Sequence, residues 1–326
     1  MDTLPVELWS NIVKFLPLID IMRLAKVNKF LFMATKENKI WSCENYEGIK
    51  IANYNKSLSF IGHCRTIKYF NDLSLGFKYY LGNYPSLTIN NITTINIRLS
   101  SLFELDFIRK NKNVKNLKIS SSIELYPTYI LDLLDDLKYL KSFHLINSGN
   151  DDRIIEKINR YKLNYLVLEA CSNLCKIGNI EQTKLKTLKL ISNLDIKNEE
   201  IIKLISKQTQ LEELNLSLME INTFTVIAIS DTGKKLTKLD LSFSQGVIDD
   251  LSAYMIAYNC PKLETLNLSA SDITNKGVFF ITQNCPYITN FSIAGTYITD
   301  MALISIALHY PDLIRLETEF NNITRI

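Results

Sequence analysis

The unit Leu-x-x-Leu-x-Leu recurs along most of this chain, and that recurrence restricts the fold more than any other feature. Leu263-Glu-Thr-Leu266-Asn-Leu268 is the cleanest copy. Further copies begin at Leu140, Leu163, Leu185, Leu211, Leu236 and Leu313. Looser ones, headed by Ile or Val, begin at Ile92, Val114 and Ile288. The nine intervals between successive starts run from 22 to 27 residues. A fixed period in this range marks stacked supersecondary units, none of which buries its apolar side alone.

A second register supports the first. In six units an Ile or Leu opens a series in which the fifth, eighth and fifteenth residues onward are apolar. Ile273 leads to Val278, Ile281 and Ile288, and Ile298 leads to Leu303, Ile306 and Leu313. The three-residue step between the fifth and eighth places is that of a helix face. The two-residue step from Leu266 to Leu268 is that of a strand. Each unit therefore reads as a short strand, a turn and a helix. Thr274, Thr299 and Asp249 stand where helix-capping side chains belong. Asn259-Cys260-Pro261, Asn284-Cys285-Pro286 and His309-Tyr310-Pro311 stand where helices should stop, because proline cannot continue them. The stretches 147–160 and 172–184 lack the helix series and are expected to hold loops or very short helices.

The pattern resembles the leucine-rich repeat family over residues 89–326, and its Ile-Thr-Asp and Asn-Cys-Pro elements resemble the cysteine-containing subclass. The resemblance implies an α/β horseshoe, with parallel strands on the concave face and helices outside. The fourth and sixth positions of each strand motif should point inward, and the third, fifth and seventh outward. The outward middle column then reads Asn96, Lys118, His144, Val167, Lys189, Asn215, Asp240, Asn267, Ser292, Glu317. From this face we take Tyr165, Val167, Glu169, Lys189, Glu213, Asn215, Asp240 and Asn267 as candidate target-binding residues. The ninth position, occupied by Cys171, Asn193, Ser244, Ser271 and Thr296, is expected to be buried and structural. Cys260 and Cys285 are expected to be buried thiols at equivalent helix ends.

Residues 1–42 follow another pattern. Pro5 suits a first helical position and Glu7 a first turn. Leu8, Ile12, Phe15 and Leu16 share one helix face, Pro17 ends it, and Asp20 caps a second helix bearing Leu24 and Val27. Two or three helices of this size make a poor independent core, so part of their apolar surface should serve a partner. Leu4-Pro5-Val6-Glu7-Leu8, Ile12, Phe15-Leu16, Asp20, Val27-Asn28 and Trp41 resemble the F-box, with Phe30 where many members have Trp. That resemblance implies docking onto the Skp adaptor of a cullin-RING ubiquitin ligase. The implied contacts are Leu4, Pro5, Leu8, Ile12, Leu16, Leu24 and Val27, of which Ile12 and Leu24 are the best candidates for domain core instead. Residues 43–88 read as a helical linker and an imperfect first repeat or cap around Ile67–Phe70.

Composition excludes several classes. Of 326 residues, 37 are Lys or Arg and 34 Asp or Glu, a net charge of +3 that gives no case for nucleic-acid binding. Ten Gly and seven Pro are too few for a Gly-rich phosphate loop or a disordered linker. The three histidines, His63, His144 and His309, lie on separate units, and Cys171-x-x-x-Cys175 has no second ligand pair, so no metal or cofactor is expected. No run reaches the ~18 apolar residues of a membrane span, and the acidic start is unlike a secretory signal, so an intracellular setting is expected, cytoplasmic or nuclear. Abundant Ile, Asn and Lys suit an A/T-rich genome such as that of an amoeba or a large DNA virus infecting one.

Together the two resemblances imply a substrate-recognition subunit of a Skp–cullin–F-box ubiquitin ligase, non-catalytic itself, with an unidentified protein target on the repeats. A non-degradative scaffold, or a protein that sequesters the adaptor, would use the same residues. A polyanion receptor is disfavoured, because Lys118, His144 and Lys189 are spread over separate units with no matching Arg.

Overall fold

The computed structural model describes residues 8, 9, 12, 24, 27, 69–71, 93–99, 102–121, 127–149, 151–244 and 248–324. The chain forms two compact units, 1–142 and 143–326. The first holds β1 (Tyr69–Asn71), β2 (Thr94–Leu99), α1 (Leu102–Lys110), β3 (Asn116–Ser121) and α2 (Pro127–Asp136). Its three strands are parallel and in sequential order. Alternation drives the burial: Ile95, Ile97, Leu117 and Ile119 point inward and are at most 1% exposed. Arg109 on α1 reaches Asp132 and Asp136 on α2 at 3.6 and 3.5 Å.

The second unit repeats one plan. Its strands are β4 (Ser142–Ile146, which begins at the unit boundary), β5 (Tyr165–Glu169), β6 (Thr187–Ile191), β7 (Glu213–Asn215), β8 (Lys238–Asp240), β9 (Thr265–Asn267), β10 (Asn290–Ser292) and β11 (Arg315–Glu317), in sequential order. Between them run α3 (Arg153–Asn159), α4 (Asn198–Ile205), α5 (Thr223–Thr232), α6 (Asp250–Asn259), α7 (Asn275–Asn284) and α8 (Asp300–His309). Between β5 and β6 stands only a 3-10 turn, Ile177–Asn179. The seven-residue α3 and this turn occupy the stretches whose helix series is broken. Helices α6, α7 and α8 stop one residue before Cys260, Cys285 and Tyr310, each followed by proline.

The turn after each strand has a fixed conformation. The eighth position of every unit from β4 to β11 lies in the left-handed region: Asn147, Ala170, Ser192, Leu218, Phe243, Ala270, Gly295 and Phe320, with φ from 48 to 64°. Only one is glycine. For the others the conformation costs about 1–2 kcal/mol, which the next residue helps to offset. That ninth residue turns inward and, in every unit but the last, is buried, as expected for Cys171, Asn193, Ser244, Ser271 and Thr296. Asn193 is the most heavily bonded of them. Its Nδ2 donates to the Leu168 and Ile191 carbonyls at 2.7 and 3.1 Å, and its Oδ1 accepts from the Cys171 amide at 2.8 Å. Asn321 does the same for the Thr296 amide at 2.7 Å.

Helix starts are tied together in a second polar ladder. Asp249 caps α6 by accepting from the Ser252 amide at 2.8 Å, and Thr274 caps α7 by accepting from the Lys276 amide at 3.2 Å. Thr299 holds the cap position of α8 but makes no side-chain cap bond. Its hydroxyl instead accepts from Asn275 Nδ2 at 2.8 Å. The first residues of α6, α7 and α8 thus serve the following unit. Asp250 accepts from the Thr274 amide and hydroxyl and the Gly277 amide, and Asp300 accepts from the Thr324 amide and hydroxyl. Those bonds hold the Asp300 carboxyl below its ordinary pKa.

Among the described cysteines, Cys171, Cys260 and Cys285 are buried and Cys175 is exposed. Burial pushes the Cys260 and Cys285 thiols up to about 12, so neither forms thiolate near neutral pH. A short iodoacetamide pulse at about pH 8, followed by peptide mapping, should therefore label Cys175 and spare the other three. Label on Cys260 in the folded protein would mean that its helix end opens on the timescale of the pulse.

Candidate protein-interaction site

The outward column of the sheet is assembled as the repeat pattern places it. In the first unit Asn96 is in register with Lys118. In the second, Val167, Lys189, Asn215, Asp240, Asn267, Ser292 and Glu317 follow one another in register from β5 to β11. Along the C-terminal part of this column lies an open hollow of about 490 Å3. Lys189, Glu213, Asn215, Asp240 and Asn267 line it together with Lys238, Arg315 and Glu317. Five of the eight expected target-binding residues therefore meet in one place. Tyr165 and Glu169 lie on β5, outside the lining.

Val167 departs from expectation. It is 1% exposed, although it belongs to the outward column. Tyr165 and Glu169 flank it along β5 on the same face, and Lys189 is its register partner on β6. All three are longer than valine, and side chains on one face of a sheet shade a shorter neighbour. Val167 does not present a surface to a partner.

The hollow is internally paired. Lys189 Nζ meets Glu213 Oε1 at 2.6 Å, both side chains about a quarter exposed. Asn215 Nδ2 donates to Asp240 Oδ2 at 3.2 Å. Glu317 accepts from the Ser292 hydroxyl and the Arg315 guanidinium, which together hold its carboxyl below the ordinary glutamate range. Outside the hollow, burial raises the Tyr165 hydroxyl pKa, with the Lys189 charge opposing the shift. Cations Lys189, Lys238 and Arg315 balance anions Glu213, Asp240 and Glu317. This surface carries both signs and no net charge. Among the described residues no three His, Cys, Asp or Glu side chains gather as a metal site.

Three column residues have a structural duty that periodicity does not reveal. Asn215, Asp240 and Asn267 each accept from the backbone amide two residues on, at Ser217, Ser242 and Ser269. This is an Asx turn, and it competes with continued strand pairing. Strands β7, β8 and β9, which carry the turn, are three residues long, whereas β5 and β6, with Val167 and Lys189 at that place, run to five.

At the N-terminus, Leu4, Pro5 and Leu16 lie outside the described residues. Leu8, Ile12 and Val27 are 47, 46 and 64% exposed, and Leu24 is half-buried. Ile12, a candidate for domain core, is thus on the surface. Among the described residues no helix is long and apolar enough to cross a membrane.

Residues 1–43 match the F-box domain family. No curated protein matches the chain. Among solved structures, an internalin from Listeria monocytogenes is 16% identical, covering 82% of this chain and 78% of that one, with a TM-score of 0.49. An internalin C2 from the same species is 12% identical, covering 68% and 77%, with a TM-score of 0.38. Neither likeness is close enough to carry an argument, so the repeat assignment rests on this chain's own motif, register and turn geometry. The chain thus joins a match to the F-box domain family at 1–43 to strand–turn–helix units of 22 to 27 residues whose motif resembles leucine-rich repeats.

Proposed function

We propose that this protein is a substrate-recognition subunit of a Skp–cullin–F-box ubiquitin ligase. The observation that carries the reading is the F-box at 1–43 joined to repeats whose sheet face is polar and open. In this reading the F-box docks on the Skp adaptor and through it on the cullin. Leu8, Ile12 and Val27 are apolar and exposed, as adaptor contacts must be before binding. The hollow around Lys189, Glu213 and Asp240 takes the target. A surface of balanced charge recognises a polar segment bearing both signs better than a polyanion. The chain itself performs no chemistry. It raises the effective concentration of target lysines near the charged conjugating enzyme. Such a role places it inside the cell, in cytoplasm or nucleus.

A pull-down of the full chain from eukaryotic lysate, beside a chain lacking residues 1–42, tests this reading. Skp adaptor and cullin should be recovered with the full chain alone. Their absence from both would sink the ligase reading. Recovery of the adaptor with no protein accumulating when the chain is deleted from its cell would favour a non-degradative scaffold.

A further inference from the structure

The outer side of the last four helices is apolar where a solvent-facing helix should be polar. Helices α5, α6, α7 and α8 each expose their second, fifth and ninth residues, the i, i+3, i+7 spacing of one face. On α5 these are Phe224, Ile227 and Asp231, and on α6 Leu251, Tyr254 and Tyr258. On α7 they are Lys276, Phe279 and Gln283, and on α8 Met301, Ile304 and Leu308. Nine of the twelve are apolar or aromatic, and all twelve are exposed; Leu308 is 75% exposed and Phe224 69%. On α4 the second and fifth positions are Glu199 and Ile202, and the polar Ser206 follows the helix end, so the patch begins at α5. Contiguous apolar surface of this kind marks an interaction site.

We infer that this face binds the same face of a second copy of the chain, helix against helix and antiparallel. Its pattern is self-complementary about a two-fold axis lying in the face and perpendicular to the helices. In that arrangement the fifth positions Ile227, Tyr254, Phe279 and Ile304 meet their own counterparts on the axis. Second positions meet ninth positions: Leu251 meets Tyr258, Met301 meets Leu308, and Lys276 meets Gln283. Phe224 against Asp231 is the one mismatch.

The rims agree. Glu220, Asp249, Asp272 and Asp300 lie along the N-terminal edge of the face, and Lys234, Lys235 and Lys262 along its C-terminal edge, with Asp312 the exception there. Antiparallel pairing sets Glu220 against Lys234 and Lys235, and Asp249 against Lys262, of the second copy. Parallel pairing would set acid against acid. Four helices ~15 Å long at ~9 Å spacing give a footprint of ~500 Å2 per copy, and two reach the ~1,000 Å2 at which specific interfaces begin. The dimer should therefore be of modest affinity.

Sedimentation velocity of the full chain tests the inference. The mass should rise from 37.5 kDa toward twice that value as concentration is raised from about 1 to about 100 μM. Tyr254→Asp with Phe279→Asp should weaken self-association at least ~100-fold, because two like charges then meet on the axis. Glu220→Lys alone should weaken it ~10-fold, and adding Lys234→Glu with Lys235→Glu should restore it. The rim series stays informative even if the aromatic variant misfolds. A chain monomeric throughout that range overturns the inference, as does a dimer indifferent to both variant sets. A monomer that instead pellets with phosphatidylcholine vesicles would assign the face to a membrane surface.

Discussion

Replacing Asn193 with leucine should lower the stability of the second unit by about 3 kcal/mol, read as a fall in the urea midpoint at unchanged slope. Leucine keeps the branching and heavy-atom count of asparagine while removing every hydrogen-bonding group. Asn193 is 1% exposed and satisfies the Leu168 and Ile191 carbonyls and the Cys171 amide. Leucine takes the partner from the Cys171 amide and a donor from the Leu168 carbonyl, and an orphaned buried group costs roughly 1–3 kcal/mol; the Ile191 carbonyl keeps the Ala170 amide at 2.9 Å. Asn193→Ser should cost less. Ser271 at the same place in its own unit donates to the Leu268 carbonyl at 2.6 Å, showing that serine meets part of the demand. If leucine were tolerated as well as serine, hydrogen bonding would not be what holds this turn.

Leu4→Ala combined with Pro5→Ala should weaken Skp adaptor binding by at least ~100-fold while leaving the thermal melting of the repeats unchanged. Truncating a leucine buried at an interface removes about 2–4 kcal/mol. Titration calorimetry with purified adaptor measures the first effect and circular dichroism the second. Undiminished binding would remove the residue-level basis for the ligase reading, whatever the repeats bind.

The repeat is legible in the sequence because each unit restates the same constraint. Leu188, Leu214, Leu239, Leu266 and Phe291 all fall on inward positions of successive strands and are at most 1% exposed. The register of Lys189, Asn215, Asp240 and Asn267 follows from the same alternation. What alternation does not carry is the length of neighbouring side chains, and so it misplaces Val167 as a contact residue. Nor does it carry competition for backbone amides. Asn215 and Asp240 read as free polar groups, yet each has given an acceptor to its own turn. Thr299 reads as a cap, but its hydroxyl is engaged by Asn275. The outer helix faces were visible as letters all along. Phe224, Leu251 and Met301 carry no signal until the fold shows which side of the helix each one occupies.

The polar bonds at the ninth position and at the helix starts reach from one unit to its neighbour and no further. Asn193 bonds back to the unit of Leu168, and Asp250 forward to that of Thr274. A whole unit inserted between two others would therefore add one copy of each bond and break none. A single inserted residue would displace the left-handed turn and the buried side chain behind it. Such a chain changes length in genetic steps of about 25 residues, each widening the sheet face by ~4.8 Å. Duplication and deletion of units, rather than point substitution, give the fastest route to a differently sized binding surface.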